Sequence, residues 1–91
     1  MIYEGEYLNG KRWNGIWSTY DKDNKLKYEK EYLNGKEEGK LKEYHNNGKL
    51  KFEGLYSNGD KQGKGKEYYS NGILKYEGEY SFGYIIMVIY H

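Results

Sequence analysis

Few residues of this 91-residue chain combine a reactive side chain with the spacing that chemistry requires. Residues 59–65, GDKQGKG, suggest a phosphate-binding loop, but only three residues separate the first two glycines, and Lys64 is followed by Gly65 rather than by Ser or Thr. Residues 21–25, DKDNK, begin like a calcium loop, but the sixth position is not Gly and the twelfth is Tyr32 instead of Glu. We therefore predict a hairpin turn at the first site and no metal at the second.

The nucleophiles and general bases are scattered along the chain. His45 and His91 have no carboxylate or nucleophile at a spacing that would bring it alongside, and no serine lies in a nucleophile elbow. The chain contains no Cys, so it has no disulfide, thiol nucleophile or thiolate metal site. We therefore expect a non-enzymatic protein with no cofactor and no metal.

Charge and hydropathy narrow the partner classes. The 15 basic and 14 acidic residues give a net charge of +1, without the basic surface that nucleic-acid binding requires, so we predict no direct binding to nucleic acid. No segment reaches the roughly 18–20 apolar residues of a membrane span, and the N-terminal residues are acidic where a signal peptide is basic. The expectation is a cytoplasmic protein that does not bind membranes.

The sequence consists of repeated segments, and any functional residue must lie on one of them. The chain has 13 Gly, 13 Tyr and no Pro, and it contains no Ala, which argues against helices. Three near-copies and part of a fourth occupy residues 3–27, 28–51, 52–75 and 76–83, and an atypical strand follows at 84–91. We predict one repeat domain over residues 1–91.

The dipeptide Asn-Gly occurs six times and predicts tight hairpins, with the extra residue of the first unit in the turn between Gly10 and Gly15. Between the turns, period-2 alternation places aromatic residues on one face and charges on the other. Gly5, Gly54 and Gly78 would leave space for neighbouring rings. The predicted fold is all-β: an elongated single-layer antiparallel β-meander of tandem hairpin repeats of about 24 residues. The expected strands are 2–8, 15–21, 25–33, 39–45, 49–57, 63–70, 73–81 and 84–90.

The repeat units resemble MORN repeats. The resemblance is carried by Y-E-G-E-Y-x-N-G-K at 3–11, by its copy at 76–80 and by G-K-G-K-E-Y-Y-x-N-G at 63–72, and it is closest to the variant form found in bacterial antitoxin-like MORN proteins. It implies an elongated sheet of hairpins with an aromatic-lined concave face. Two positions depart from the pattern, since Lys30 replaces a Gly and Phe82 replaces the Asn of the last Asn-Gly pair.

Aromatic residues are the first candidates for partner contacts. Tyr7, Tyr32, Tyr56 and Tyr80 recur as a row across the sheet, either as its core or as an interface, because a single layer leaves part of the row uncovered. Trp13 and Trp17 occur only in the first unit. Trp13 falls in the predicted turn, so we expect it to be exposed and to anchor a partner.

The last segment, YIIMVIYH, is the second candidate. Residues 84–91 form either a cap strand that packs apolar side chains on both faces or an edge that recruits another chain, including a second copy in a homodimer. In the second case Ile86 and Val88 would contact the partner.

The leading functional hypothesis is a non-catalytic protein-binding module. Resemblance to antitoxin-like MORN proteins favours a small inhibitor or immunity protein that blocks a toxin or nuclease, and a phage anti-defence inhibitor such as an anti-CRISPR protein is a special case. The alternative is a MORN-type scaffold with peripheral lipid association, although the lysines are interleaved with acids. Glycan binding is a third option, but aromatic glycan-binding repeats carry paired Trp in each unit.

Overall fold

The computed structural model describes residues 2–89, which form eight strands and no helix. Each strand pairs antiparallel with the next along the chain, so the order in the sheet is the order in the sequence. The sheet measures 45 × 30 × 16 Å. All eight strands belong to one open sheet, so the architecture is a single layer. The predicted all-β meander is therefore confirmed. The strands are β1 (Ile2–Leu8), β2 (Lys11–Tyr20), β3 (Leu26–Leu33), β4 (Lys36–Tyr44), β5 (Leu50–Ser57), β6 (Asp60–Tyr68), β7 (Leu74–Ser81) and β8 (Tyr84–Ile89).

Two kinds of turn alternate along the chain. Hairpins β1–β2, β3–β4 and β5–β6 close on Asn-Gly pairs with both residues at positive φ, for example 51° at Asn9 and 79° at Gly10. This is the type I′ geometry, whose twist matches that of the flanking strands. Phe82 and Gly83 adopt the same conformation, with φ of 49° and 86°. The last hairpin thus closes like the others, although Phe replaces Asn.

The connections β2–β3, β4–β5 and β6–β7 are longer and place one residue in the left-handed region. In the middle connection, the Gly48 N–H donates to the His45 carbonyl at 2.9 Å and the His45 N–H donates to the Lys49 carbonyl at 2.8 Å. Asn24 takes the left-handed position in the first connection, with φ of 60°. Residues 21–25 are therefore a hairpin turn, in which the Asp21 carboxylate accepts hydrogen bonds from two backbone N–H groups.

The predicted starts of β2, β4 and β6 are wrong by three to four residues, since these strands begin at Lys11, Lys36 and Asp60. Gly39 and Gly63, with φ of 117° and 94°, lie inside strands at places where the pairing register shifts. These glycines mark β-bulges inside the strands, whereas we expected the strands to begin at them. Of the turn predicted over 59–65, only Gly59 lies in the turn.

The sequence Asn14-Gly15 also lies inside β2, and the prediction that Trp13 sits in an exposed turn is wrong. Trp13 is a half-buried strand residue, and its ring would lie 3.0 Å from a Cβ at Gly35. Gly15 pairs with Gly5, and a Cβ at Gly15 would lie 2.7 Å from the Tyr3 hydroxyl. This Asn-Gly therefore makes room for a phenol and closes no turn. The extra residue of the first unit is consequently absorbed within β2.

The core lies on one face of the sheet, which we call the aromatic face. Phe52, Tyr56 and Tyr80 are the buried hydrophobic side chains, with 1%, 3% and 4% of their surface exposed. Their rings lie over glycines, because a Cβ at Gly65 would come within 2.7 Å of the Phe52 ring and 3.0 Å of the Tyr80 ring. A Cβ at Gly54 would also meet the Phe52 ring, at 2.8 Å.

The prediction that glycines give space to rings is confirmed at Gly54 and at Gly5, where a Cβ would meet the Tyr3 hydroxyl at 2.9 Å. Gly65 plays the same part, although it was not predicted. The prediction is wrong at Gly78, where the nearest atoms to a Cβ would be the Met87 carbonyl oxygen and, at 3.0 Å, the Ile85 side chain.

Charges line the opposite face as predicted, with Glu29 opposite Lys42 and Glu53 opposite Lys66 in the register. The expected separation of charges from aromatics is nevertheless wrong in part. Lys30, Glu37, Lys61 and Glu67 share the parity of the aromatic residues and interact with them. A single-layer sheet has too few apolar residues to cover this face, and charged groups that pair with one another and with phenol hydroxyls complete it.

Candidate partner-binding surfaces

The centre of the aromatic face is closed by packing and ion pairing. Phe52 and Tyr80 pack edge to face with ring centroids 5.4 Å apart. The Lys61 ammonium lies 4.2 Å from the centroid of the Phe52 ring, and its Nζ is 3.1 Å from a carboxylate oxygen of Glu43. The charge of Lys61 is thus neutralised by a carboxylate and an aromatic face together.

Glu67 completes this centre by accepting hydrogen bonds from the hydroxyls of Tyr76 and Tyr80. Burial alone would raise the pKa of Glu67, but the two phenol hydrogen bonds, with the charge of Lys61, outweigh burial and lower that pKa. Burial, with the hydrogen bond to Glu67, raises the pKa of Tyr80 far above its usual value. These groups satisfy one another, so the centre has the character of a structural core.

The second unit is also internally paired. The Lys30 Nζ lies 2.6 Å from a carboxylate oxygen of Glu37, and that oxygen also accepts the Tyr32 hydroxyl at 3.1 Å. The hydrogen bond from Lys30 is the main cause that lowers the pKa of Glu37. The Tyr56 hydroxyl donates to the backbone carbonyl of Glu31. The charges and phenol hydroxyls of this region are therefore paired within the sheet.

The first hairpin differs from the others. The Arg12 guanidinium carbon lies 3.8 Å from the centroid of the Trp17 ring, and 5.7 and 5.8 Å from the ring centroids of Tyr3 and Tyr32. Arg12 forms no ion pair with a carboxylate of residues 2–89, and its Nε is buried without a hydrogen-bond partner. Tyr7, at the rim, is 62% exposed. Arg12 therefore keeps one unpaired donor, although its charge adds to the hydrogen bond from Lys30 in lowering the pKa of Glu37.

A shallow cavity of about 400 Å³ opens beside Arg12. Its lining residues come from β1, the first tight turn, the start of β2 and the β3–β4 hairpin; they are Tyr7, Gly10, Lys11, Arg12, Tyr32 and Gly35. A Cβ at Gly10 would meet nothing within 4 Å, so the turn side of the cavity is open. We call Tyr7, Arg12, Trp17 and Tyr32, with this cavity, the Arg12 site.

Strand β8 is the second uncovered surface. It pairs with β7, but Tyr84 and Ile86 are 77% and 65% exposed, and only Val88 is half-buried along the strand. The cap interpretation required apolar side chains packed on both faces, and the structure instead leaves them largely uncovered. Tyr90 and His91, the last residues of the predicted strand and segment, lie outside the described residues.

The predicted contact residues therefore fall into three groups. Tyr56 and Tyr80 are core residues and present almost no surface, which removes them from the contact set in this conformation. Trp17, Tyr32 and Tyr7 come together around Arg12, whereas Trp13 packs beside them against Gly35. The third group, Ile86 and Val88, lies on β8 at the opposite end of the sheet.

Sequence reasoning missed Arg12, although a signal for it was present. Arg12, Glu37, Lys61 and Ile85 each pair directly with the tyrosine that precedes a tight turn, so they occupy equivalent places. Two of these are charges that the aromatic face neutralises, and a comparison of the four positions would have identified Arg12 as the exception. No group of three or more His, Asp or Glu side chains within residues 2–89 is arranged to hold a metal ion. The described residues include no helix that could cross a membrane.

An open sheet of hairpins, joined by alternating turns and repeated along one direction, defines a solenoid-like repeat protein. The model of the MORN repeat variant family matches residues 13–34, 37–58 and 61–81, which together make up more than two thirds of the chain. The chain therefore belongs to the MORN repeat variant family, and it is a repeat-type binding module. No curated protein and no solved structure matches it.

Proposed function

We propose that this chain is a non-catalytic protein-binding module that acts as a small inhibitor, of the immunity or antitoxin kind, by occupying the surface of a partner protein. The observation that carries the proposal is that the aromatic groups are covered at the centre of the sheet and exposed at its two ends. Its centre is closed by internal pairing, whereas the Arg12 site and β8 leave aromatic and apolar groups uncovered. Exposed aromatic residues beside an Arg are typical of interface hot spots.

The inhibitor assignment draws on the sequence resemblance to antitoxin-like MORN proteins. The sheet is 45 Å long and one layer thick, which suits a protein that lies along a groove and blocks access to it. A toxin or a defence nuclease is the target we propose, with a phage anti-defence inhibitor as one form of this function.

Affinity purification of the tagged chain from its source cell, followed by mass spectrometry, tests the proposal. We expect one partner protein to copurify in a stoichiometric complex, and its activity to fall when the purified chain is added. Tyr7→Ser and Ile86→Thr should each weaken the complex. The matched control is Ile73→Thr, because Ile73 is 62% exposed but lies in the β6–β7 connection, away from both surfaces. A chain that emerges alone, or a partner whose activity is unchanged by saturating chain, would contradict the inhibitor function.

Peripheral lipid association is the competing function, and the exposed apolar side chains Phe82, Tyr84 and Ile86 favour it. Insertion of these residues would bring no basic cluster with it from their own segment, because residues 76–89 contain no Lys or Arg. Sedimentation with vesicles of phosphatidylcholine and phosphatidylserine separates the two functions. The protein-binding proposal predicts that the chain stays in the supernatant at every lipid concentration.

A further inference from the structure

We propose that Arg12 binds a carboxylate side chain of the partner protein, held against an aromatic wall formed by Tyr7, Trp17 and Tyr32. The inference rests on the proposed protein-binding function and adds the chemistry of the partner: the segment that docks on the first hairpin is acidic. The Arg12 site is thereby distinguished from β8, which presents apolar groups alone.

First, the residue that pairs with the tyrosine before each tight turn is charged in the first three hairpins. Glu37 and Lys61 stand where Arg12 stands in the first hairpin, and each is neutralised within the sheet, by Lys30 at 2.6 Å and by Glu43 at 3.1 Å. Arg12 also stacks on an aromatic ring, at 3.8 Å, and its charge adds to the hydrogen bond from Lys30 in lowering the pKa of Glu37, but it forms no ion pair among residues 2–89. The fold therefore repeats an ion-paired charge at this position and leaves one copy, Arg12, without an ion pair.

The second step concerns the hydrogen-bond donors of Arg12. A guanidinium carries five N–H donors in a fixed plane, and an indole ring stacked on one face of that plane accepts none of them. Glu37, whose pKa the charge of Arg12 helps to lower, already accepts from Lys30 and from the Tyr32 hydroxyl at one carboxylate oxygen. The Nε–H of Arg12 is buried and unpaired, which costs stability, whereas a carboxylate can accept two parallel bonds from a guanidinium. The stacking on Trp17 fixes the plane in which those bonds form.

The third step is access. The cavity of about 400 Å³ beside Arg12 reaches solvent past Gly10 and the exposed Tyr7. Lys11, which is exposed, lies on its rim and adds a second positive charge. A cavity of this size accepts an Asp or Glu side chain with part of its backbone. An extended phosphate backbone fits less well, because nucleic acid requires a broad basic surface that a chain with a net charge of +1 does not offer, whereas a single carboxylate requires only Arg12 and Lys11.

The experiment uses the fact that Arg12 is the only arginine of the chain. Its Nε–Hε group therefore gives one side-chain signal in a proton–nitrogen correlation spectrum of the 15N-labelled protein. The probe is hexaglutamate blocked at both termini, and blocked hexaglutamine is the neutral control. We expect hexaglutamate to shift the Nε–Hε signal and a tryptophan indole signal along one saturable curve, and hexaglutamine to leave both in place. Added salt should weaken the binding.

Variants separate Arg12 from charge in general. Arg12→Lys keeps the positive charge but cannot form two parallel bonds in a fixed plane, so we expect its affinity for hexaglutamate to fall about tenfold or more. Lys11→Gln removes a charge of the same rim and should weaken binding by only about two- to threefold. Tryptophan fluorescence and thermal unfolding of each variant establish that the fold is retained, and the wild-type titration needs no variant at all.

Three results would overturn the inference. The first is an Nε–Hε signal that stays fixed while hexaglutamate binds elsewhere or fails to bind. The second is equal affinity for hexaglutamate in the wild type and in folded Arg12→Lys. The third is a shift caused by a ten-nucleotide oligothymidylate at lower concentration than by hexaglutamate, which would identify a phosphate site. The titration contains only the purified chain and a peptide, so its result does not depend on the proposed inhibitor function. That function is tested separately by the copurification experiment.

Discussion

Substituting Gly65 by Ala tests whether the aromatic face depends on glycines that make room for rings. Gly65 is buried, pairs with Gly54 on one side and Gly78 on the other, and has no left-handed φ. An added methyl group would therefore cause no backbone strain. It would, however, lie 2.7 Å from the Phe52 ring and 3.0 Å from the Tyr80 ring.

The magnitude follows from two opposing effects. Forcing a methyl group into an occupied core costs about 1–3 kcal/mol, because Phe52 is only 1% exposed and has no free space into which to move. Replacing Gly by Ala within a strand returns about 0.5–1 kcal/mol. We expect a net loss of about 1–2 kcal/mol in the free energy of unfolding, which corresponds to a Tm lower by roughly 5–15 °C for a domain of this size.

Thermal and urea unfolding, followed by circular dichroism, measure the loss. Phe52→Leu removes the ring atoms that the methyl group meets, so the double variant with Gly65→Ala should lose at least about 0.5 kcal/mol less than the sum of the single variants. Gly48→Ala is the matched control: Gly48 has φ of 87° and open space around its missing Cβ, so its cost comes from the backbone alone and should add to that of Phe52→Leu. A stable Gly65→Ala, or strict additivity with Phe52→Leu, would refute the reasoning.

Three further perturbations address a turn and two titrating groups. Phe82→Asn should stabilise the protein by about 0.5–1 kcal/mol in urea unfolding, because Asn adopts φ near the observed 49° more readily than Phe; an unchanged midpoint would contradict the turn assignment. Because the pKa of Glu67 is lowered in the folded protein, its stabilisation is present above pH 4.5, the reference value, and is lost as the pH falls through the folded pKa. Glu67→Gln should therefore reduce the fall of the urea midpoint at acid pH. An equal fall in the variant and the wild type would exclude this role. Burial and the hydrogen bond to Glu29 raise the pKa of Tyr44 to about 12, so the stabilisation from Tyr44 is intact below pH 10 and declines as the pH rises towards 12. Tyr44→Phe should reduce this decline in stability relative to the wild type. An equal decline in both proteins would argue against a role for Tyr44.

The repeat, the antiparallel order and the faces of most strands could be predicted from the sequence, because period-2 alternation and a 24-residue recurrence are local patterns. The starts of β2, β4 and β6 could not be predicted in this way. Asn-Gly serves as a type I′ turn at Asn34, as part of a longer turn at Asn47 and as part of a bulged strand at Asn14. Which of these forms depends on what lies across the sheet, and at Gly15 the deciding neighbour is the hydroxyl of Tyr3.

The Arg12 site was half predicted. The tryptophans of the first unit were singled out because they break the repeat, and Trp17 does form one wall of the site. The charge on that wall was overlooked, because alternation assigns charged residues to the solvent face unless the register is known. The bulge between Gly5 and Tyr7 is what pairs Tyr7 with Arg12 and turns the guanidinium towards the aromatic residues.

Because each strand pairs only with its neighbours in the chain, the separation between the Arg12 site and β8 is counted in whole repeats. Duplicating residues 52–75 would add two strands, and about 10 Å, between the two surfaces without altering the contacts within either. A partner that binds both surfaces would lose contact with one of them, whereas the affinity of a partner that binds only one surface would be unchanged. If a partner contacts both surfaces, the number of repeats would set the distance that this partner has to span.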